Sequence, residues 1–422
     1  MPVISAPPRT RARVFHGWWI VAVTVVGLCL SVGPVFNYTF GIFATPLGRD
    51  LGVGRGALSL AVALLNIMVA IGSPIAGRLV DRFGGRRVIV SSIVALSACL
   101  WALAAFTHSL MQLYVLYALA GLVGAGGTPV SHSRVVANWF DRRRGLALGF
   151  TSAGIGLGTF LLPSLVQFLI AQGGWRLAYG VLGGVCVVVA APVVALFLRN
   201  TPEEMGLLPD GGGVSASTTV ARPHSGLAVA DALRTRTFWQ LALLFFGVSA
   251  CVNGTVAHLA PMLMDRGMSG TAAAFAASLF GAATIAGRVG NGYLVDRFFA
   301  PYVAAVLFGS AAIGLWMLAS GARGGTGLVA AALLGLAIGA ESDVMPFLVS
   351  RYFGMRAMGT LFGGVFAAYT LGAAAGPYAI GLGFDATGSY ATPLTVAFVV
   401  LIGAVLTTFA LPRYQRQEAA LL

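Results

Sequence analysis

The sequence predicts an all-α polytopic membrane protein of twelve transmembrane helices, arranged as two pseudo-symmetric six-helix bundles with both termini in the cytoplasm. Three observations carry that expectation. The chain is 58% hydrophobic and 9% charged, with a mean hydropathy of +0.88, whereas a soluble domain carries roughly 25% charged residues. The phrase Gly77-Arg78-Leu79-Val80-Asp81-Arg82-Phe83 recurs as Gly292-Tyr293-Leu294-Val295-Asp296-Arg297-Phe298, identical at six of seven positions and 215 residues further on. The 26 basic residues are all arginines, and they gather in alternate loops between apolar stretches.

A length of 422 residues accommodates about twelve spans of ~20 residues with short loops. In order, the apolar stretches fall at 17–46, 57–79, 87–107, 110–137, 145–171 and 176–198, and then at 237–264, 270–294, 301–320, 325–350, 359–383 and 391–411. The first follows Arg9, Arg11 and Arg13 and runs on without a small-residue cleavage site, so it reads as an uncleaved span rather than a signal peptide. Residues 199–236 form the only long hydrophilic stretch, and Asp210-Gly211-Gly212-Gly213 with the Ser/Thr run after it mark a flexible linker. The chain therefore divides into 1–198, 199–236 and 237–422, and a repeat at half the chain length in such a sequence points to two homologous halves around a shared centre.

Orientation follows from the arginines. With the N-terminus inside, nineteen lie in inner segments, five (Arg49, Arg55, Arg176, Arg266 and Arg323) in outer loops, and Arg134 and Arg288 within spans. The net charge of +13 is thus a topology signal and not a nucleic-acid footprint. The 57 glycines suit close helix packing where no water drives association. Cys29, Cys99, Cys186 and Cys251 all lie in apolar spans and read as small packing residues.

Gly77-x-x-x-Asp81-Arg82-x-Gly84-x-Arg86-Arg87, between the second and third spans, resembles the loop signature of the major facilitator superfamily. The second copy keeps Gly292, Asp296 and Arg297 and lacks the trailing Gly-x-Arg-Arg. Physically, Gly77 allows a close helix crossing, and Asp81 with its arginines can cap neighbouring helix ends. The resemblance implies alternating-access transport, with the gating motif of Gly77, Asp81, Arg82, Arg86, Asp296 and Arg297 holding the inner side closed. Val135-Val136-Ala137-Asn138-Trp139-Phe140 and Leu348-Val349-Ser350-Arg351-Tyr352-Phe353 form a second internal echo, each followed by a basic turn and a glycine, Gly145 or Gly359. Gly17-Trp18-Trp19, Trp139-Phe140-x-x-Arg143-Arg144-Gly145 and Tyr352-Phe353-Gly354 are similar to the bacterial branch of monocarboxylate and oxalate/formate porters. Oxalate-type members use a lysine in span 11, and this chain has none.

Ionisable groups inside spans cost several kcal/mol and are functional candidates by default. Arg288, in span 8, lies about six residues from that span's inner end, or ~9 Å. Its planar guanidinium suits a carboxylate, and the resemblance implies a substrate-binding arginine in this span. A structural pair with a span-10 acid is the alternative. Glu341 and Asp343, in span 10, lie at similar depth and are candidates for proton exchange coupled to substrate, or for a fixed gate pair. Two residues apart, they cannot share one helix face. His258, in the outer half of span 7, has a side chain suited to proton exchange, with Asp265 a possible partner. Arg134, with His132, sits near the inner end of span 4, where a gate role is favoured. Asn37 and Tyr38, after Gly33-Pro34, and Tyr369 and Thr370 in span 11 are candidates to line a substrate cavity or to pack helices.

No nucleotide loop, nucleophile–base pair or metal cluster is found in the sequence, and Gly124-x-Gly126-Gly127 lies inside a span. The expectation is a non-enzymatic transporter without cofactor, a monomer in the bacterial cytoplasmic membrane. It would move a small organic anion, such as a monocarboxylate, with proton symport favoured by the titratable Glu341, Asp343 and His258. A drug or metabolite exporter, an anion exchanger and a nutrient sensor are the rivals; the short linker and tail leave a sensor little room for a signalling module.

Overall fold

The computed structural model describes residues 15–211 and 226–414. Arg9, Arg11, Arg13, Arg222 and Arg416, counted above among the inner arginines, lie outside the described residues. The first half is built of α1 (Gly17–Cys29), α2 (Phe40–Leu51), α3 (Arg55–Phe83), α4 (Gly85–Phe106), α5 (Leu110–Gly124), α6 (Pro129–Trp139), α7 (Arg144–Val185) and α8 (Ala191–Phe197). After a short α9 (Val229–Leu233), the second half follows as α10 (Arg236–Ala257), α11 (Leu259–Asp265), α12 (Gly270–Arg297), α13 (Ala300–Ala319), α14 (Gly324–Phe353), α15 (Met358–Thr387) and α16 (Ala391–Phe409).

Ten helical runs among the described residues are long and apolar enough to cross a membrane. One of them, Arg144–Phe197, has 54 residues, which at 1.5 Å per residue is far longer than a ~30 Å hydrocarbon core. It leaves helical geometry at Gly173 (φ −154°, ψ 21°) and Gly174 (φ 77°, ψ 179°). Gly174 occupies a backbone region that only glycine enters cheaply. Residues 144–172 and 175–197 are each of spanning length. The 28-residue α12 stands outside the ten; it is long enough, and it carries the polar Arg288 and Asn291.

Three expected spans are interrupted. The first breaks after α1 into a π-turn over Gly33–Asn37, with Pro34 at its start, before α2 resumes. Pro34 has no N–H to donate, so it removes one backbone hydrogen bond at that turn. The fourth narrows to a 3₁₀ turn at Ala125–Gly127, and the seventh breaks at His258. Around the first break, the hydroxyls of buried Tyr117 and Tyr179 pair at 2.7 Å, Phe43 stacks on Tyr179 at 4.0 Å, and Phe36 meets Tyr117 edge-on at 5.0 Å. Each phenol thereby satisfies the other inside an apolar layer.

The halves meet along two helix pairs, α3 with α15 and α7 with α12. Of the residues between the halves, 212–225, with Gly212, Gly213 and the Ser/Thr run, lie outside the described residues, and those on either side make defined contacts. Pro202–Met205 forms a 3₁₀ turn, Asp210 Oδ2 accepts from the amides of Asp141 and Arg142, and Leu227 N donates to Phe353 O at 2.9 Å.

Candidate functional site

The repeated phrase builds one construction twice. The residues preceding α7 and α15, Arg143 and Ala357, supply no side-chain cap, leaving the first amides of each helix without intrahelical partners. Asp81, on α3, supplies the missing acceptor for α15: it accepts from Gly359 N at 3.0 Å, Thr360 N at 2.8 Å and Thr360 Oγ1 at 2.9 Å. Asp296, on α12, does the same for α7, accepting from Gly145 N at 2.7 Å and Leu146 N at 2.9 Å. Each carboxylate thus caps the positive end of a helix in the other half. The backbone must approach closely for this. A Cβ on Gly77 would overlap the Gly359 carbonyl, and one on Gly292 would lie 2.7 Å from Gly145 O.

Charged pairs tighten the same end. Arg134 Nε lies 3.3 Å from Asp81 Oδ1, and its Nη1 donates to Asn138 Oδ1. Asp141 receives Arg351 from the second half at 3.1 Å and Arg144 at 3.3 Å, and buried Arg144 donates to Ser350 Oγ at 3.1 Å. Arg86 works within the first half, where its amide donates to Asn200 Oδ1 at 2.8 Å and its guanidinium to Ala195 O. Arg82 rests over the Phe83 ring, and Arg297 over the Tyr293 ring. Asp141, Ser350, Arg351 and Thr360 were not singled out in the sequence. The signal available was the pair of echoed phrases around Gly145 and Gly359.

One layer deeper sits the ionisable cluster. Glycines bring α12 and α14 into backbone contact: a Cβ on Gly339 would overlap Thr284 O and lie 2.9 Å from Arg288 N. This places Glu341 and Asp343 beside Arg288. All three are buried, at 0%, 1% and 7% exposure. The guanidinium lies within electrostatic reach of both acids but closes no ion pair with either. Neither carboxyl has a partner within hydrogen-bond distance among the described residues, although the Ser152 side chain approaches Asp343. Arg288 Nη1 instead donates across the halves to Ser152 O on α7, at 3.0 Å. Glu341 lies near Tyr369 and Cys251, whereas Asp343 lies near Ser152. The two acids therefore flank Arg288 on different sides, as their spacing of two residues requires.

Tyr369 is shared by several candidates, being within reach of Glu341, Arg288, Tyr38 and Asn253. Tyr38 is 52% exposed. Asn37 forms a reciprocal amide pair with Asn66, both bonds at 3.1 Å. Thr370 spends its hydroxyl on Phe366 O within its own helix. Ser152, Asn66 and Asn253 are additions that no sequence pattern marks, since a single polar residue in a span has no period.

His258 belongs to another neighbourhood. Its Nε2 lies 3.0 Å from Pro377 O and its ring 5.7 Å from that of Tyr390, which exposed Asp265 also reaches. No described contact joins His258 to Arg288. His132 is fully buried, with Nδ1 3.1 Å from Thr128 O.

Three comparisons bear on this arrangement. The family model described as Major Facilitator Superfamily matches residues 24–377. The chain is 27% identical over 409 residues to the oxalate:formate antiporter of Oxalobacter formigenes, covering 94% of this chain and 92% of that protein. It is 27% identical over 432 residues to human monocarboxylate transporter 11, covering 98% and 87%. Among solved structures, the E. coli fucose:proton symporter superposes with a TM-score of 0.67 at 15% identity, over 95% of this chain and 100% of that one; at that identity the likeness is one of fold.

Proposed function

We propose that this chain, which belongs to the Major Facilitator Superfamily and is a multi-pass membrane transporter, moves a small organic anion by alternating access, with the anion's carboxylate held by Arg288. The observation that carries the reading is a buried guanidinium that bridges the two halves while two buried carboxyls beside it stay unpaired. The named substrates of the relatives, oxalate, formate and monocarboxylates, agree with carboxylate recognition.

The geometry supplies a sequence of steps. Arg288 is the only permanent cation in the cluster, and a carboxylate is a stronger acceptor for it than the Ser152 carbonyl. A bound anion that takes over Nη1 removes a bond between α7 and α12, which loosens the contact between halves. One guanidinium can balance only one of substrate, Glu341 and Asp343. Buried acids left without a counter-charge are strongly disfavoured as ions, so each substrate that engages Arg288 favours a proton on an acid. Proton symport follows from that balance. We read twelve crossings, with α12 and the two parts of Arg144–Phe197 completing the ten apolar runs, and both termini on the cytoplasmic side with the arginine-rich loops. The placement proposed is a bacterial cytoplasmic membrane, with the protein working as a monomer.

The test uses purified protein in liposomes with labelled monocarboxylates, with and without an inward proton gradient. Gradient-stimulated uptake in wild type that becomes gradient-independent in Glu341→Gln or Asp343→Asn supports coupling through these acids. Exchange is the second reading, favoured by the antiporter among the relatives. In that case internal counter-substrate, and not the gradient, drives flux. Absence of any carboxylate flux by folded wild type would sink both and favour an exporter.

A further inference from the structure

The entry to α10 carries a feature that transport does not use. Arg234, Thr235, Arg236, Trp239, Gln240 and Leu243 line an open concavity of about 330 Å³. Arg234 and Arg236 are exposed, and neither guanidinium has a hydrogen bond or ion pair among the described residues. On the same side of the molecule, by contrast, Arg86, Arg134, Arg144 and Arg351 are all engaged with protein acceptors.

The wall beside these two cations is fixed. Trp239 is 62% exposed, yet its Nε1 donates to Leu233 O at 2.9 Å and its ring stands edge-on to Phe238 at 5.4 Å. The Thr235 hydroxyl is spent on Ala232 O and on the amide of Phe238, so the polar groups on offer are the two guanidiniums and the Gln240 amide. Along the helix Leu243 and Phe246 follow Trp239 at four and seven residues, and both are exposed. That spacing puts them on one stripe. The concavity therefore has two cations at its mouth, an exposed indole of the kind enriched at membrane interfaces, and an apolar track running along the spanning helix α10.

We propose that this concavity is a binding site for one anionic phospholipid. The phosphodiester would sit between Arg234 and Arg236, whose planar forks suit phosphate oxygens, with the glycerol backbone against Trp239 and an acyl chain along Leu243 and Phe246. A soluble phosphate would use the mouth and leave the track empty. The site lies where the chain enters the second half, next to α9 and the linker, so an occupied site anchors that entry to the membrane surface.

Native mass spectrometry of the full-length, delipidated protein tests this, with phosphatidylglycerol, phosphatidylcholine and glycerol 1-phosphate as separate probes. Wild type should retain one phosphatidylglycerol beyond the background set by phosphatidylcholine. Arg234→Gln and Arg236→Gln should each weaken that binding about fivefold, and together about thirtyfold. Trp239→Ala should weaken both lipids. Arg413→Gln, an exposed arginine outside the concavity, should change nothing; an equal loss there would mean diffuse surface charge and overturn the proposal. Equal phosphatidylglycerol retention by wild type and the folded double variant would also overturn it, as would competition by glycerol 1-phosphate at concentrations matching the lipid. Should the double variant fail to fold, the two single variants and Trp239→Ala carry the same test.

Discussion

Arg288 is placed by glycines rather than by charge. Gly287 and Gly339 let α12 and α14 touch backbones, and that contact sets the guanidinium beside Glu341 and Asp343 and within reach of Ser152 O. In the proposed mechanism the side chain exchanges that carbonyl for a substrate carboxylate. Arg288→Lys keeps the charge and loses the fork, so substrate affinity should fall by about tenfold or more while the protein still inserts; equilibrium binding of a labelled monocarboxylate checks this. The role of Gly77 is equally specific. Gly77→Val has no room against the Gly359 carbonyl, so it should hold that end of the molecule apart, whereas Gly33→Ala, at a glycine whose added Cβ meets nothing, should leave the closed end intact. Spin labels at Arg142→Cys and Arg356→Cys, both exposed and on opposite halves, report the separation.

At the scale of elements, the proposed gate is two helix ends capped in trans. A charge-assisted hydrogen bond contributes about 1.5–3 kcal/mol, so Asp81→Asn should move the equilibrium away from the closed end by roughly tenfold or more. Asp296→Asn should act in the same direction through α7, and the label distance above should lengthen in both. At another loop, Asp50 pairs with Arg176 at 2.7 Å, and that bond holds the Asp50 carboxyl below its ordinary range. A lowered folded-state value means the tie is present above the unfolded value near 3.9 and lost as pH falls through the folded one. Acidification from pH 7 to 5 should therefore leave it intact, and Asp50→Asn should not alter the pH profile of uptake across that window. The elements themselves were largely legible in the sequence, because apolar length and arginine placement report spanning helices. The breaks at Gly33–Asn37 and His258 were less so, although Pro34 marks the first. The capping partners were half legible: the repeated phrase exposes Asp81 and Asp296, but nothing in sequence says that their acceptor role is played toward Gly359 and Gly145, some 280 and 150 residues away.

For the whole molecule, the two motif helices each hold the opposite half, so the halves are tied at one end by a reciprocal pair of contacts and deeper in by Arg288 to Ser152 O. On the proposed reading, a carboxylate on Arg288 would break the deeper tie, coupling occupancy of the site to the strength of the closed end and letting the buried acids take or release a proton. The candidate site was legible as a short list because ionisable groups in spans are rare. Its grouping was legible in part: depth along the spans sets Glu341 and Asp343 level with Arg288, but Tyr369 joins them only through tertiary packing, and His258, equally prominent in sequence, is carried to Pro377 and Tyr390 instead. The most direct measurement is uptake of labelled monocarboxylates into proteoliposomes by wild type and Arg288→Ala. The expected result is uptake by wild type and a loss of at least about thirtyfold in the variant, with normal insertion and thermal stability. Undiminished uptake by Arg288→Ala would contradict the assignment of the carboxylate to Arg288.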